Sequence, residues 1–323
     1  MVKVIILKPR LDVMFKQGPV PEARGLIPDI RLPWAAFVDK LVVHHRKMMH
    51  SVAVIELPLW MFSTDDFKAK LPEIEYDIIY VPHKEQRSYP ITNNRARYYM
   101  QSVFPWMFYC DSIGWAGGLS NWPCEDFITS GKLNSKFYNF VRTRVVNNCS
   151  KFDQPQINNK LVLPEKYALF ACQIPHDETI KYHSEYSVAE ALDYTCRLTQ
   201  HKLQLIIKGH PINPDSMFEL QKIANKYNHT MWIDNVSIIQ LIRNSEFLVS
   251  VNSGTGMEAL LLQKPVVSFG RADYSAVSNH PMTLLGMDPK YNDDRVQRFF
   301  DGWYNSCIDT TDINSYDKLS NYY

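Results

Sequence analysis

Between residues 203 and 270 the chain alternates short apolar runs with helix-forming stretches, and this limits what it can fold into. The order is LQLIIKGHP, a helical segment, TMWIDN, a second short helix, then FLVSVNSGTGMEALLLQKPVVSFG. Apolar runs that end in small or polar residues and are followed by helices are the pattern of a parallel α/β sheet. Polar residues gather where those runs end. Lys208, His210 and Pro211 follow one, and Asn252, Ser253, Gly254, Thr255, Gly256 and Glu258 follow another. Open α/β sheets bind ligands outside the carboxyl ends of their strands. A glycine-rich turn that opens a helix also presents backbone N–H groups to an anion. This half of the chain is therefore expected to hold a phosphorylated ligand such as a nucleotide.

A chain of 323 residues suggests two domains. With 46% hydrophobic and 21% charged residues it can build ordinary cores. A net charge of +1 gives no electrostatic case for nucleic-acid binding. Cys110, Cys124, Cys149, Cys172, Cys196 and Cys307 form no C-x-x-C pair, so the expectation is reduced thiols in a cytoplasmic protein. The N-terminal MVKVIILKPRLD is too short an apolar run for a signal peptide and suits a first strand. No window approaches the ~18 apolar residues of a membrane span, although peripheral membrane association is compatible with the chain. Sequons at Asn148, Asn228 and Asn235 carry little weight without a secretory route.

Strands are expected at residues 2–7, 52–57 and 77–82, and a helix from Pro33 to about Met49 with Ala36, Phe37, Leu41 and Val42 on one face. Residues 9–32, rich in proline and glycine, read as loop, and 63–71 as a short helix capped by Ser63 or Thr64. The aromatic stretch 98–109 is ambiguous, and the CDSIGWAGGLSNWP that continues it is a loop by composition. The polar stretch 150–166 is the candidate linker. Beyond it, strands are expected at 167–173, 204–208, 231–234, 247–251 and 265–269. Helices are expected at 186–200, 215–227 (starting at Pro214 or Asp215), 237–244, 255–262 and 295–304. The resulting division is 1–155, 156–290 and a C-terminal helix and tail, 291–323, that returns to the first domain.

Three motifs carry chemistry. In the turn from Asn252, Gly254 and Gly256 permit close backbone approach, and Glu258 in the first helical turn suits ribose hydroxyls; alternatively the glycines only turn the chain and Glu258 only favours the helix dipole. The turn is neither a Walker A loop nor G-x-G-x-x-G. Lys208 and His210 at a strand end suit a diphosphate or a base, with Pro211 fixing the turn, or are incidental loop residues. Asp111, between an aromatic run and a glycine-rich loop, suits a general base or a nucleophile toward an anomeric carbon, or caps its own loop.

Taken together, Asp111 and Gly114, then His210-Pro211, then Ser253, Gly256, Glu258, Ala259 and Leu260, then Pro265, Val266, Gly270 and Tyr274 resemble the capsule-polysaccharide glycosyltransferase superfamily. The nearest pattern is that of the bacterial Kdo-transferases, with bacterial sialyltransferases more distant. Gln173 and Asp177 resemble the start of that family's donor domain. Where the family loop carries an acidic residue before its Asp, this chain has Cys110. The resemblance implies an α/β fold of GT-B architecture, two Rossmann-like domains facing a central cleft. It also implies a nucleotide-sugar co-substrate on the His-Pro and Ser/Glu motifs, and chemistry at Asp111. CMP-sugars are the first expectation for the donor, with UDP- and GDP-sugars open, and the acceptor is a glycan or glycolipid.

Arg271 could add positive charge at the leaving phosphate. His83, Arg87, Arg95 and Arg97 could line the cleft, or be solvated surface charge. Trp106, Trp115 and Trp122 could stack on sugars, or be core. His44-His45, beside Arg46 and Lys47, read as the polar end of a helix and not as a metal site. No D-x-D motif suggests a metal-dependent enzyme of the other glycosyltransferase class, and no metal or further cofactor is expected. The rival readings are a sugar-nucleotide 2-epimerase of related two-domain layout and a non-catalytic binding protein.

Overall fold

The computed structural model describes residues 1–11, 31–70, 74–89, 91, 96–211 and 215–322. The greater part of the expected 9–32 loop, Arg95 and the Pro214 helix start lie outside the described residues. The chain divides into two compact units, Met1–Ser120 with Tyr304–Tyr323, and Asn121–Trp303.

The first unit contains β1 (Lys3–Pro9), α1 (Leu32–Lys47), β2 (Ser51–Leu57), α2 (Asp65–Lys70), β3 (Ile78–Pro82), β4 (Ala96–Gln101) and β5 (Met107–Asp111). Its sheet runs, from one edge, terminal strand Ile308–Asp309, β5, β4, β3, β1, β2. β1 to β4 are mutually parallel along the sheet, while β5 is antiparallel to both its neighbours. Successive residues of β1 serve opposite faces: Val4 and Ile6 pack with α1, and Ile5 and Leu7 with Phe62, Tyr89 and Tyr98. A sheet covered on both faces has strands that read as unbroken apolar runs.

α1 starts with a proline in its first turn and buries Trp34, Phe37, Val38 and Leu41, the spacing of one helical face. Phe37 stacks between Tyr99 (ring centroids 4.8 Å apart) and Phe108 (4.7 Å). This resolves the ambiguous aromatic stretch. It is two antiparallel strands, β4 and β5, whose aromatic side chains form core rather than a sugar platform.

His44 and His45 are not a polar helix end, because both are buried. His45 Nε2 meets the Tyr80 hydroxyl at 2.9 Å and its Nδ1 meets His50 Nδ1 at 3.0 Å, so polar partners inside the unit replace water.

The second unit contains α3 (Glu125–Ser130), α4 (Lys136–Val146), β6 (Tyr167–Ala171), α5 (Glu178–His183), α6 (Val188–Thr199), β7 (Gln204–Lys208), α7 (Phe218–Ala224), β8 (Thr230–Ile233), α8 (Ile238–Asn244), β9 (Phe247–Ser250), α9 (Thr255–Leu261), β10 (Val266–Ser268) and α10 (Thr283–Gly286). The helix α11 (Asp293–Ser306) runs on across the division. The sheet is wholly parallel, in the order β10-β9-β6-β7-β8. Counting from β6 this is the 3-2-1-4-5 order of a doubly wound sheet, and the chain leaves β6 and β9 in opposite directions. The fold is thus α/β with two parallel-dominated sheets.

The division differs from the expected boundary at 155, since residues 121–155 pack in the second unit. The cause is aromatic. Phe127 meets Phe299 (5.9 Å), Phe137 stacks on Trp303 (5.8 Å, 26°), and Tyr138 meets Phe300 (5.9 Å). α3 and α11 touch backbone to backbone: a Cβ on Gly302 would fall 2.1 Å from the Phe127 carbonyl oxygen. The 150–166 stretch is irregular but pinned. Gln154 Oε1 accepts from Ile238 N (2.9 Å), and the Gln240 amide bonds both N (2.9 Å) and O (2.8 Å) of Asn158. Residues 304–323 join the first unit.

Candidate functional site

In the second unit the candidate residues gather at the carboxyl edge of the sheet, around the gap in chain direction between β6 and β9. The chain leaving β6 supplies Gln173, and the chain leaving β9 supplies Asn252. Gln173 Nε2 donates to Asn252 Oδ1, and Asn252 N donates to Gln173 Oε1, both at 2.9 Å. Asn252 Nδ2 donates in turn to the carbonyls of Thr179 (2.9 Å) and Arg271 (3.3 Å). Both side chains are buried. Gln173, expected as a ligand contact, therefore spends both ends of its amide on Asn252, and the pair ties the segments after β6, β9 and β10 together.

The turn that follows is shaped from within. Ser253 Oγ accepts from Thr255 N (3.3 Å) and Thr255 Oγ1 (2.8 Å), and Tyr274 donates its hydroxyl to the Ser253 carbonyl at 2.6 Å. Gly254 stands as N-cap of α9. Position 256 must be glycine because a Cβ there would lie 2.3 Å from Tyr274 Cζ. Glu258 is 2% exposed. The charges of Asp177 and Glu258 lie near enough to the Lys151 ammonium to favour its protonated form. Loss of hydration lowers Lys151 to about 8, against the pull of those carboxylates, although the residue keeps some exposed surface. Lys151 was not legible as a site residue, because it opens the stretch that reads as linker.

The Lys208–Pro211 loop follows β7, the neighbour of β6 on the side away from β9. Burial lowers Lys208, while nearby Asp234 favours its charge. A Cβ on Gly209 would stand 2.8 Å from Asp234 Oδ1 and 3.0 Å from Trp232 Cζ2, and Asp234 Oδ2 accepts from Trp232 Nε1 at 2.9 Å. His210 is lowered first by burial, with Asp177 opposing and Lys208 reinforcing. Its ring meets the Phe152 ring edge-on at 6.0 Å. Pro211 is exposed. Lys151, Lys208 and His210 thus share one neighbourhood with Asp177, Asp234 and Glu258, a mixed-charge edge suited to a ligand bearing both phosphate and hydroxyl groups.

Arg271 leaves β10 partly exposed, with its guanidinium 5.0 Å from the centroid of the Trp122 ring.

In the first unit Asp111 ends β5. Its Oδ1 accepts from the backbone N–H of Ile113 (2.7 Å), Gly114 (3.2 Å) and Ser120 (3.2 Å), and its Oδ2 from Ser120 Oγ (2.6 Å). The carboxylate anchors its own loop. Cys110 beside it is buried, and burial pushes its thiol up to about 12, so it does not stand in for the family's acidic residue. Gln86 N donates to the Ile113 carbonyl at 2.7 Å, lacing the loop after β3 to the Asp111 loop. That lacing brings His83 to within 5.9 Å of Trp115, ring to ring, and leaves Arg87 exposed. Trp115 is 4% exposed and offers no open face for stacking on a sugar, and Arg97 is buried as well. Buried Glu85 is a carboxylate that the sequence reading passed over: its Oε2 lies 3.2 Å from where a Gly114 Cβ would stand. Among the described residues no group of three or more His, Cys, Asp or Glu has metal-holding geometry, and no helix is long and apolar enough to cross a membrane.

Residues 132–278 match the family model described as "Capsule polysaccharide biosynthesis protein". The match lies within the second unit and takes in Lys151, Gln173, His210, Ser253–Glu258 and Arg271. A 131-residue stretch is 24% identical to the "Capsule polysaccharide export protein KpsS" of Escherichia coli, covering 37% of this chain and only 33% of that protein. Among solved structures, a β Kdo 2,7 transferase, Thermosulfurimonas dismutans KpsC, matches 99% of both chains with a TM-score of 0.52 and 15% identity. The likeness in sequence is thus to capsule-polysaccharide biosynthesis proteins, and the likeness in architecture is to a GT-B-type fold.

Proposed function

We propose, from the capsule-biosynthesis likeness of residues 132–278, that this chain is a glycosyltransferase of surface-glycan synthesis that takes its nucleotide-sugar donor on the second unit. The observation that carries the reading is the convergence on one sheet edge, at the switch between β6 and β9, of the Gln173–Asn252 pair, the Ser253–Glu258 turn, His210 and Lys151. The donor's phosphate meets Lys151, Lys208 and His210, whose charge stabilises the departing nucleotide. Glu258 accepts from ribose hydroxyls. CMP is the first candidate nucleotide, with UDP and GDP as alternatives.

The first unit takes a glycan or glycolipid acceptor near His83, Arg87 and Trp115. In the reaction the anomeric C–O bond to the nucleotide breaks, its electron pair leaving with the phosphate. A new C–O bond forms to the acceptor oxygen, whose hydroxyl proton must be taken up. Asp111 is the carboxylate we place at the chemistry. Oδ1 is occupied by three N–H donors, whereas Oδ2 has one donor and keeps capacity for another. We place the enzyme in the cytoplasm, peripheral to a membrane, working without a metal.

The test is a thermal-shift screen of CMP, UDP, GDP and TDP against the wild type and Glu258→Ala. One nucleotide should raise the melting temperature of the wild type and do so far less in the variant. If none does, the reading fails. Product analysis with donor alone separates it from an epimerase, which needs no acceptor.

A further inference from the structure

Trp122 and Arg271 form a pair that the donor site as described leaves unexplained. The indole is fixed from the Arg271 side: Trp122 Nε1 donates to the Ala272 carbonyl and to Ser275 Oγ, each at 3.2 Å, and Ser275 Oγ accepts from Ala272 N at 3.0 Å. The ring then lies 5.0 Å from the Arg271 guanidinium. A guanidinium held against an indole face keeps its N–H fork available to a ligand, which suits two-point contact with an oxyanion.

The neighbouring carboxylates are engaged elsewhere. Asp273 accepts from Trp303 Nε1 (3.0 Å), Glu125 pairs with Arg295 (3.0 Å), and Asp126 accepts from Asn121 Nδ2 (2.9 Å). The Arg271 guanidinium has neither an ion pair nor a hydrogen bond among the described residues. Its place is not arbitrary either. The Arg271 carbonyl accepts from Asn252, the residue next to Ser253, so this uncompensated cation stands at the β10 end of the edge whose β9 end is the Ser253–Glu258 turn.

We infer that Arg271 is an oxyanion-binding residue of the donor site, and that Trp122 is the positioning residue that holds its guanidinium ready. The inference rests on the proposed donor site. Trp122 is accordingly not a sugar-stacking platform, because its ring is already engaged by a cation. The oxyanion is either the phosphate of the nucleotide or a carboxylate on the transferred sugar.

Calorimetric titration of the full chain with CMP, UDP, GDP and TDP, and separately with free N-acetylneuraminate as an acidic sugar, distinguishes the two sources. Arg271→Ala should weaken one class by roughly 10- to 100-fold, the range for losing charge-assisted hydrogen bonds. Loss confined to nucleotides assigns the phosphate, and loss confined to the acidic sugar assigns the carboxylate. Trp122→Leu should weaken the same ligand when Arg271 is present and change nothing in the Arg271→Ala background. Trp122→Phe, which keeps an aromatic face, should restore most of the loss. If Arg271→Ala binds every ligand as the wild type does while Glu258→Ala has lost the nucleotide, the donor site stands and this inference falls. If the wild type binds none of these ligands, both fall. If Trp122→Leu weakens binding equally in both backgrounds and lowers the melting temperature, Trp122 is packing and its positioning role is overturned.

Discussion

Acidification should destabilise the first unit through His45, and the structure sets the size of the effect. The ring is buried between Tyr80 and His50, with His44 edge-on at 5.4 Å. Desolvation first, and then the neighbouring His44 and His50, lower its pKa from 6.5 to about 3. His44 and His50 are themselves lowered, and the acidic groups near them, Asp317 and Asp77, only partly offset this. A histidine that is harder to protonate folded than unfolded contributes its full stability above pH 6.5. It loses that contribution as the pH falls from 6.5 toward 3. At pH 5 the loss from His45 is about 2 kcal/mol, taking ~1.4 kcal/mol per pH unit over the interval below 6.5. His45→Gln keeps a hydrogen-bonding side chain and removes the titration. Hydrogen exchange of α1 and β3 peptides between pH 7.5 and 5, corrected for intrinsic rates, reads the first unit separately from the second. The wild type should lose protection steeply below pH 6.5, and the variant should lose about 2 kcal/mol less by pH 5. Identical pH profiles for the two proteins would refute the assignment of that cost to His45.

Gly256→Ala should destabilise the second unit by about 1–3 kcal/mol, since the new methyl overlaps the buried Tyr274 ring; an unchanged urea midpoint would show that the ring can move aside. Lys151, lowered to about 8, loses its charge as the pH rises through that value. Nucleotide affinity should therefore weaken between pH 7 and 9 in the wild type and stay flat in Lys151→Met, as titration calorimetry would reveal. Asp111→Asn should speed amide exchange at Ile113, Gly114 and Ser120, which share Oδ1, and should cost roughly 10²–10⁴-fold in turnover if the carboxylate acts in general acid–base chemistry. Faster exchange with near-normal turnover would leave it a loop anchor alone.

The second sheet was legible because its strands are largely buried, and runs such as LIIK and FLVS end in the residues that form the candidate site. Ser253, Gly256, Glu258 and His210 could be picked out because strand ends in such a sheet point to one edge. What stayed hidden depends on contacts far apart in sequence. Nothing local says that Phe137 will stack on Trp303, so α3 and α4 read as part of the first domain when they belong to the second unit. Lys151 sits in a polar, proline-containing stretch, and only its approach to Glu258 and Asp177 separates it from an ordinary linker lysine. Nothing local says that Gln173 will pair its amide with Asn252, a partner 79 positions away. Trp122 shows the same limit: its cation comes from a strand end that the sequence gives no reason to place beside it.

The first unit is assembled from two pieces of chain, and this imposes an order on biogenesis. The terminal strand supplies the edge beside β5, Ile308 opposite Phe108, and Tyr316 packs against Phe37 with its hydroxyl on the Phe37 carbonyl. A nascent chain that has emerged only as far as β5 has its N-terminal strands but lacks this edge and part of the core over α1. The intervening Asn121–Trp303 segment emerges in one continuous stretch and can complete its sheet first. On the ribosome the first unit, although its strands β1 to β5 emerge before the second unit, is the one that must wait, with the flank of β5 open until residues 304–323 arrive.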